Sequence, residues 1–215
     1  MFDRIAPTYD RVNRAMTLGL DRGWRTTTVL EVPEGARSVL DLCAGTLDLA
    51  AETQRVRPKA RVVAVDFARN MLVGGRAKME GDVQIACADV ARLPFRSASF
   101  DAALCGFGVR NLPDRPAFLA ETRRVLAVGG VLVVLDLFVP ENLLAKVVHE
   151  MHTQAVVPVL GQLLSGDPEA YRYLPASVDR FVTRRVFEEE LRDAGFSDVR
   201  AQEVGFGTVS IVRAS

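Results

Sequence analysis

Residues 38–66 read SVLDLCAGTLDLAAETQRVRPKARVVAVD, and this stretch decides the fold. An apolar run ends in Asp41, a turn of small residues and a helical segment follow, and a second apolar run ends in Asp66. The order is typical of a βαβ unit with an acid at the tip of each strand. Such a unit binds its ligand at the carboxyl ends of the strands, against the turn. Asp66 lies about twenty residues past the turn, where a carboxylate can accept both ribose hydroxyls, so we expect an adenosine-containing cofactor.

The residues of the turn indicate which adenosine-containing cofactor can bind. A dinucleotide needs three glycines at this place, whereas the turn offers only Gly45, and Asp48 in the first helical turn would repel a pyrophosphate. S-adenosylmethionine has no phosphate and carries an ammonium group that an acid can bind. Asp41, Asp66 and the later Asp89 fit that ligand. The sequence therefore favours S-adenosylmethionine over NAD.

The rest of the chain continues the alternation of strands and helices. Five strands with helical crossovers and a closing antiparallel pair near residues 198–204 and 208–213 predict a seven-stranded doubly wound α/β sheet. We expect the helix over residues 113–126 to be stopped by Gly129-Gly130. We also expect Thr183 to cap a helix that turns four residues inward: Val186, Phe187, Leu191 and Ala194.

Length and composition favour one cytoplasmic domain spanning residues 1–215, with an N-terminal helical cap (1–30) and a helical insertion (140–180). The formal net charge of +0 gives no reason to expect a nucleic-acid partner. We expect no signal peptide, transmembrane span or metal site, and three free cysteine thiols. Arginines beside apolar residues in the cap leave peripheral membrane contact open. A homodimer is open too.

Seven runs in order along the chain resemble the ubiquinone/menaquinone C-methyltransferase family. They lie at residues 2–25, 39–50, 63–72, 93–114, 124–136, 161–181 and 194–207. The most specific are FGVRN at 107–111 and GDPEAYRYLPASV at 166–178. The resemblance implies a Rossmann-like class I methyltransferase fold, in which a mostly parallel seven-stranded sheet has an antiparallel C-terminal strand and helical cap elements. It implies methyl transfer from S-adenosylmethionine to a ring carbon of a polyprenylated hydroquinone, either demethylmenaquinol or a ubiquinone precursor.

The predicted cofactor contacts are Asp41, Gly45, Thr46, Asp48, Asp66, Phe67, Asp89, Val90 and Gly106. Carried over by position, Thr46, Asp66, Asp89 and Val90 belong to this set, with Asp89 and Val90 at the adenine. Gly106 occupies the position where the family often has serine, so it could contact the cofactor only through its backbone.

Catalysis requires an electron-rich ring carbon, which an ionised quinol hydroxyl provides. We expect Arg110 to lower the pKa of that hydroxyl and Asn111 to orient its oxygen; the alternative is that both residues only anchor the loop. His149 and His152 lie one helical turn apart where the family has tyrosines. They are interpreted as a solvated face or as pocket residues, with His149 as a base. Tyr9 and Tyr171 complete the predicted substrate site.

Two alternatives remain open. A methyltransferase of the same fold would act on another aromatic or polyketide-like molecule, including on oxygen. A non-catalytic quinone- or cofactor-binding homologue would have lost turnover through Leu47, which replaces a family glycine in the turn.

Overall fold

The sheet is assembled around the two strands that carry the acids. The computed structural model describes residues 2–80, 83–143, 146–147, 176–205 and 207–215. Its strands are β1 (Ser38–Leu42), β2 (Arg61–Asp66), β3 (Gln84–Cys87), β4 (Phe100–Gly106), β5 (Leu126–Leu137), β6 (Arg200–Gly205) and β7 (Val209–Ala214). They lie in the order β3-β2-β1-β4-β5-β7-β6. Only β7 runs antiparallel to its neighbours β5 and β6, which confirms the predicted sheet.

Helices cover both faces of this sheet. They are α1 (Phe2–Met16), α2 (Asp21–Leu30), α3 (Asp48–Val56), α4 (Arg69–Gly75), α5 (Arg115–Val125) and α6 (Arg184–Asp193), with 3-10 turns at Arg76–Lys78 and Val109–Asn111. Successive β1 residues belong to different cores: Val39 packs with α2 and α3, and Leu40 packs with α5 and α6. This alternation follows from the two-residue period of a strand, and it explains why both faces of β1 are apolar.

Helix α5 ends one residue before its predicted end, but the two glycines do not stop it. The helix ends at Val125, and β5 begins at Leu126, which pairs with Phe100. The register then shifts before Val131 pairs with Ala102, and Gly129 adopts a φ of 76° within the shifted stretch. The two glycines therefore serve an irregularity in the strand pairing, where a left-handed residue is needed.

The predicted cap of α6 is confirmed, because the Thr183 hydroxyl accepts a hydrogen bond from the Val186 N–H. Phe187 and Leu191 are fully buried, as expected, whereas Val186 is exposed. Ala194 at the end of the helix also packs against this core, as expected. The inward prediction for Val186 was wrong because the stripe through Phe187 and Leu191 leaves Val186 outside the core.

Of the two N-terminal helices, α2 packs against the sheet and α1 packs against α4. The Trp24 Nε1 donates to the Val204 carbonyl (2.9 Å), which ties α2 to β6. Most of the predicted insertion lies outside the described residues. Within the described part of the chain, no helix is long and apolar enough to cross a membrane.

Candidate active site

The turn after β1 and the tip of β2 meet as predicted. Asp66 Oδ2 accepts from the Gly45 N–H and Oδ1 from the Ala68 N–H, each at 2.8 Å. Gly45 has a φ of 51°, and Cys43 two residues earlier has a φ of 54°. A tight turn of left-handed residues is thus held against the second strand by its carboxylate.

Asp41, a predicted cofactor contact, lies near the end of β1, just before this turn. Its carboxyl is buried, and neither oxygen has a hydrogen-bond partner among the described residues. The pKa of Asp41 is raised to about 8, mainly by burial; the Ala50 N–H opposes this shift, and the nearby negative charge of Asp66 contributes to it. A buried carboxyl without a partner suits a ligand that brings a positive charge.

The Leu47 side chain packs into the core and not toward the side of the turn where a ligand would bind. Leu47 adopts a φ of 63° and its side chain is fully buried in a core cluster with Ala50, Ala64 and Leu72. Gly75 of α4 provides the space, since a Cβ there would lie 2.3 Å from the Thr46 carbonyl oxygen and 2.9 Å from Leu47 Cγ. The leucine side chain that was expected to disturb the turn is therefore accommodated by the core.

Thr46 and Asp48, both predicted cofactor contacts, are engaged by α1 and by charged neighbours. The Thr46 hydroxyl donates to Asp10 of α1 (2.6 Å), and Lys78 pairs with both Asp10 and Asp48. Arg25 also pairs with Asp48, at 3.2 Å. This network brings the N-terminal helix onto the turn. Lys78 could not be identified from the sequence, because its partners lie thirty or more residues away.

The predicted adenine-side residues lie at the tips of β2 and β3. Phe67 is exposed, and Val90 is buried in the core. Asp89 is exposed and accepts from the Ala91 N–H (2.9 Å). The Ala88 N–H donates to the Asp66 carbonyl (3.1 Å), so the two strand tips are adjacent.

The loop after β4 lies against the same turn. Gly106 ends β4, next to Leu49 of α3, and Gly108 approaches Cys43 so closely that a Cβ would lie 2.5 Å from the Cys43 Cβ. Between these glycines, Phe107 has a φ of 57°. A bulky residue in this conformation is uncommon and is typical of a loop held for function.

Arg110 and Asn111 hold that strained residue in place. The Arg110 Nη1 donates to the Phe107 carbonyl (2.8 Å), and so does the Asn111 Nδ2 (3.2 Å). Arg110 also pairs with Asp136 at the end of β5: Nη1 to Oδ1 at 2.6 Å, and backbone N–H to Oδ2 at 3.1 Å. The loop-anchoring contacts are therefore present. A role of Arg110 or Asn111 toward a substrate remains a prediction.

Asp136 is the residue that sequence reasoning missed. Its side chain is 0% exposed and that of Arg110 is 7% exposed, so the pair is buried. An acid ending β5 was a detectable signal, because the carboxyl ends of parallel strands meet at one edge of the sheet.

The other predicted substrate residues are less informative. Tyr9 is half-buried in α1. His149, His152 and Tyr171 lie outside the described residues.

Comparison with known proteins supports the methyltransferase interpretation of this geometry. A model described as the ubiE/COQ5 methyltransferase family matches residues 1–215. A demethylmenaquinone methyltransferase of Roseiflexus castenholzii is 41% identical over 213 residues, covering 98% of this chain and 90% of the relative. A second demethylmenaquinone methyltransferase, from Thermus thermophilus, is 41% identical over 215 residues, which cover 98% of this chain and 97% of the relative. A ubiquinone/menaquinone biosynthesis C-methyltransferase UbiE of Syntrophotalea carbinolica is 39% identical over 215 residues, which cover 98% of this chain and 90% of the relative.

Solved structures share the fold. An S-adenosylmethionine-dependent methyltransferase of Thermotoga maritima superposes with a TM-score of 0.69 at 19% identity, over 99% of this chain and 97% of that one. An S-adenosylmethionine-dependent methyltransferase of Aquifex aeolicus superposes with a TM-score of 0.67 at 20% identity, over 95% of this chain and 96% of that one.

Proposed function

The chain belongs to the ubiE/COQ5 methyltransferase family, and from this premise we propose that it methylates a ring carbon of demethylmenaquinol. It is an S-adenosylmethionine-dependent methyltransferase. The observation that carries the choice of substrate is the similarity, over 98% of the chain, to relatives named demethylmenaquinone methyltransferases.

The residues of the turn fit S-adenosylmethionine. The unpartnered carboxyl of Asp41 suits the ammonium of the amino-acid end. Asp66 at the turn suits the ribose hydroxyls, and the exposed Asp89 suits the adenine amino group. Bound there, the cofactor supplies a methyl group that its sulfonium makes electrophilic.

The loop after β4 is our candidate for activating the quinol. A free phenol titrates near 10, so ionisation at neutral pH needs a hydrogen-bond donor or a positive charge beside the oxygen. Asp136 compensates much of the charge of Arg110. Arg110 would therefore act by a directed hydrogen bond rather than as a free cation. Its Nη1 and Nε donate to Phe107, Asp136 and Ser177. Within the described part of the chain, Nη2 has no acceptor and is left for a quinol oxygen.

Much of the rate would come from alignment. Holding the two reacting groups in line is worth roughly 7–11 kcal/mol at best. The anchoring of the loop through Phe107, Arg110 and Asp136 provides a rigid wall for this purpose.

We also propose that the protein is cytoplasmic and meets its polyprenylated substrate at the membrane surface. A homodimer remains a prediction, which analytical ultracentrifugation tests.

The test of the reaction uses the purified chain, S-adenosylmethionine and chemically reduced demethylmenaquinol. We expect mass spectrometry to detect one added methyl group and NMR to place it on a ring carbon. The ubiquinone-pathway precursor serves as the competing substrate. Methylation on oxygen, or turnover only with another aromatic compound, contradicts the proposed substrate. No binding of S-adenosylmethionine in a calorimetric titration contradicts every enzymatic interpretation.

A further inference from the structure

The turn between α1 and α2, residues 17–20, carries two exposed leucines. Leu18 is 79% exposed and Leu20 is 43% exposed. Val12 and Met16 of the preceding helix are buried, so α1 has an inward apolar face to which the leucines do not belong. Two large apolar side chains thus stand outside the fold, two residues apart.

The backbone of this turn is closely fixed. The Leu18 N–H donates to the Ala15 carbonyl and the Gly19 N–H to the Arg14 carbonyl, the pattern of a Schellman motif. The Thr17 hydroxyl bonds to the Asn13 carbonyl and to Asp21, which ties the end of α1 to the start of α2. The leucines are therefore presented on a rigid turn.

Leu18 occupies the one position of this motif where glycine is preferred. Its φ is 52°, a conformation that glycine adopts without strain and leucine does not. Its side chain gains no burial in return. Folding alone gives no reason for leucine here, so a contact made outside the chain is the remaining physical reason.

Three exposed arginines flank the two leucines in sequence. Arg11 and Arg14 on the last turns of α1, and Arg22 on the first turn of α2, are exposed. The neighbouring acids Asp10 and Asp21 are already paired with Lys or Arg inside the fold. Arg14 and Arg22 also line a cleft with Glu52 and Glu80, so the three exposed arginines are a cluster of basic side chains in a region of mixed charge.

We propose that this leucine tip (residues 17–20 with Arg11, Arg14 and Arg22) inserts into the surface of a bilayer that contains anionic lipid. Apolar side chains at the centre with arginines around them match the layered chemistry of such a surface, where acyl chains lie below negative headgroups. A second copy would instead place the same arginines against each other. The inference rests on the proposed function, because it gives the enzyme its access to a polyprenylated substrate.

The test measures the binding of the full chain to vesicles without quinol. We expect binding to vesicles of phosphatidylcholine with phosphatidylglycerol, and much weaker binding to phosphatidylcholine alone or in high salt. Leu18→Gly combined with Leu20→Ser should lower the partition coefficient about tenfold or more, since each leucine loses its burial in the bilayer. Leu18→Gly should fold at least as well as the parent, because glycine relieves the strain. Arg11, Arg14 and Arg22 changed together to glutamine should remove the preference for anionic vesicles.

Val128→Ser is the matched control, since Val128 is fully exposed in β5 and should not alter binding. Vesicle binding that is absent in the parent, unchanged in the leucine variant or equally lost in Val128→Ser overturns the inference. So does a dimer of the parent that Leu18→Gly dissociates, because the tip would then contact a second copy. No methyl transfer is measured, so failure here leaves the proposed reaction intact, and loss of that reaction leaves vesicle binding measurable.

Discussion

Replacing Asp136 with asparagine tests whether the buried pair with Arg110 holds the loop after β4. Both side chains are almost completely excluded from water. Removing one partner of a buried pair leaves an uncompensated charge and costs about 3–5 kcal/mol. Asparagine keeps an oxygen that can accept from Arg110 Nη1, so we expect the lower end, about 3 kcal/mol. For a chain of this size that corresponds to a fall in melting temperature of about 6–12 °C.

Thermal unfolding of Asp136→Asn should be compared with that of Arg115→Gln. Arg115 pairs with Glu190 at the same 2.6 Å, but these side chains are 25% and 24% exposed. A pair in contact with water contributes about 1 kcal/mol or less, so this control should lose far less stability. The turnover of folded Asp136→Asn should fall on the order of tenfold to a hundredfold through misplacement of the loop, with the affinity for S-adenosylmethionine unchanged. Equal losses of stability in the two variants would show that the buried pair of Arg110 and Asp136 does not hold the loop.

Three further changes test the site. Arg110→Ala should cut turnover on demethylmenaquinol far more than cofactor affinity; unchanged turnover in steady-state assays would remove Arg110 from the chemistry. Because the pKa of Asp41 is raised to about 8, the folded chain holds a proton that the unfolded chain has released. The stability that this proton provides should therefore fall by about 2 kcal/mol between pH 6 and pH 8. Asp41→Asn should flatten that part of the profile in thermal unfolding, and an equal slope in the variant contradicts the assignment. Leu47→Gly loses a buried side chain but relieves a left-handed leucine, so denaturant unfolding should show a loss of about 1–3 kcal/mol. Its calorimetric affinity for S-adenosylmethionine should not change, whereas a marked gain would place Leu47 on the ligand side after all.

The fold could be predicted because its signals are local. The apolar runs ending in Asp41 and Asp66 have the right length for buried strands, and their acids mark the carboxyl edge of the sheet. Gly129 and Gly130 were wrongly interpreted as the end of a helix, because glycine is common both after helices and at irregularities in strands. Only the pairing of Leu126 with Phe100 distinguishes the two structures.

The contacts within the site could not be predicted because they are distant in sequence. Thr46 meets Asp10 across 36 residues, and Arg110 meets Asp136 across 26. Motif spacing placed Thr46 and Arg110 at one edge of the sheet but did not identify their partners. The sequence likewise showed that Leu47 departs from the family, whereas the space left by Gly75 is visible only in three dimensions.

The proposed reaction transfers a methyl group from S-adenosylmethionine to a ring carbon of demethylmenaquinol. It is tested most directly by incubating the purified chain with demethylmenaquinol and S-adenosylmethionine labelled in its methyl group, followed by mass spectrometry and NMR of the quinol. We predict menaquinol carrying the label on a ring carbon. Cofactor binding without any label in the quinol would contradict the claim, as would label on a quinol oxygen.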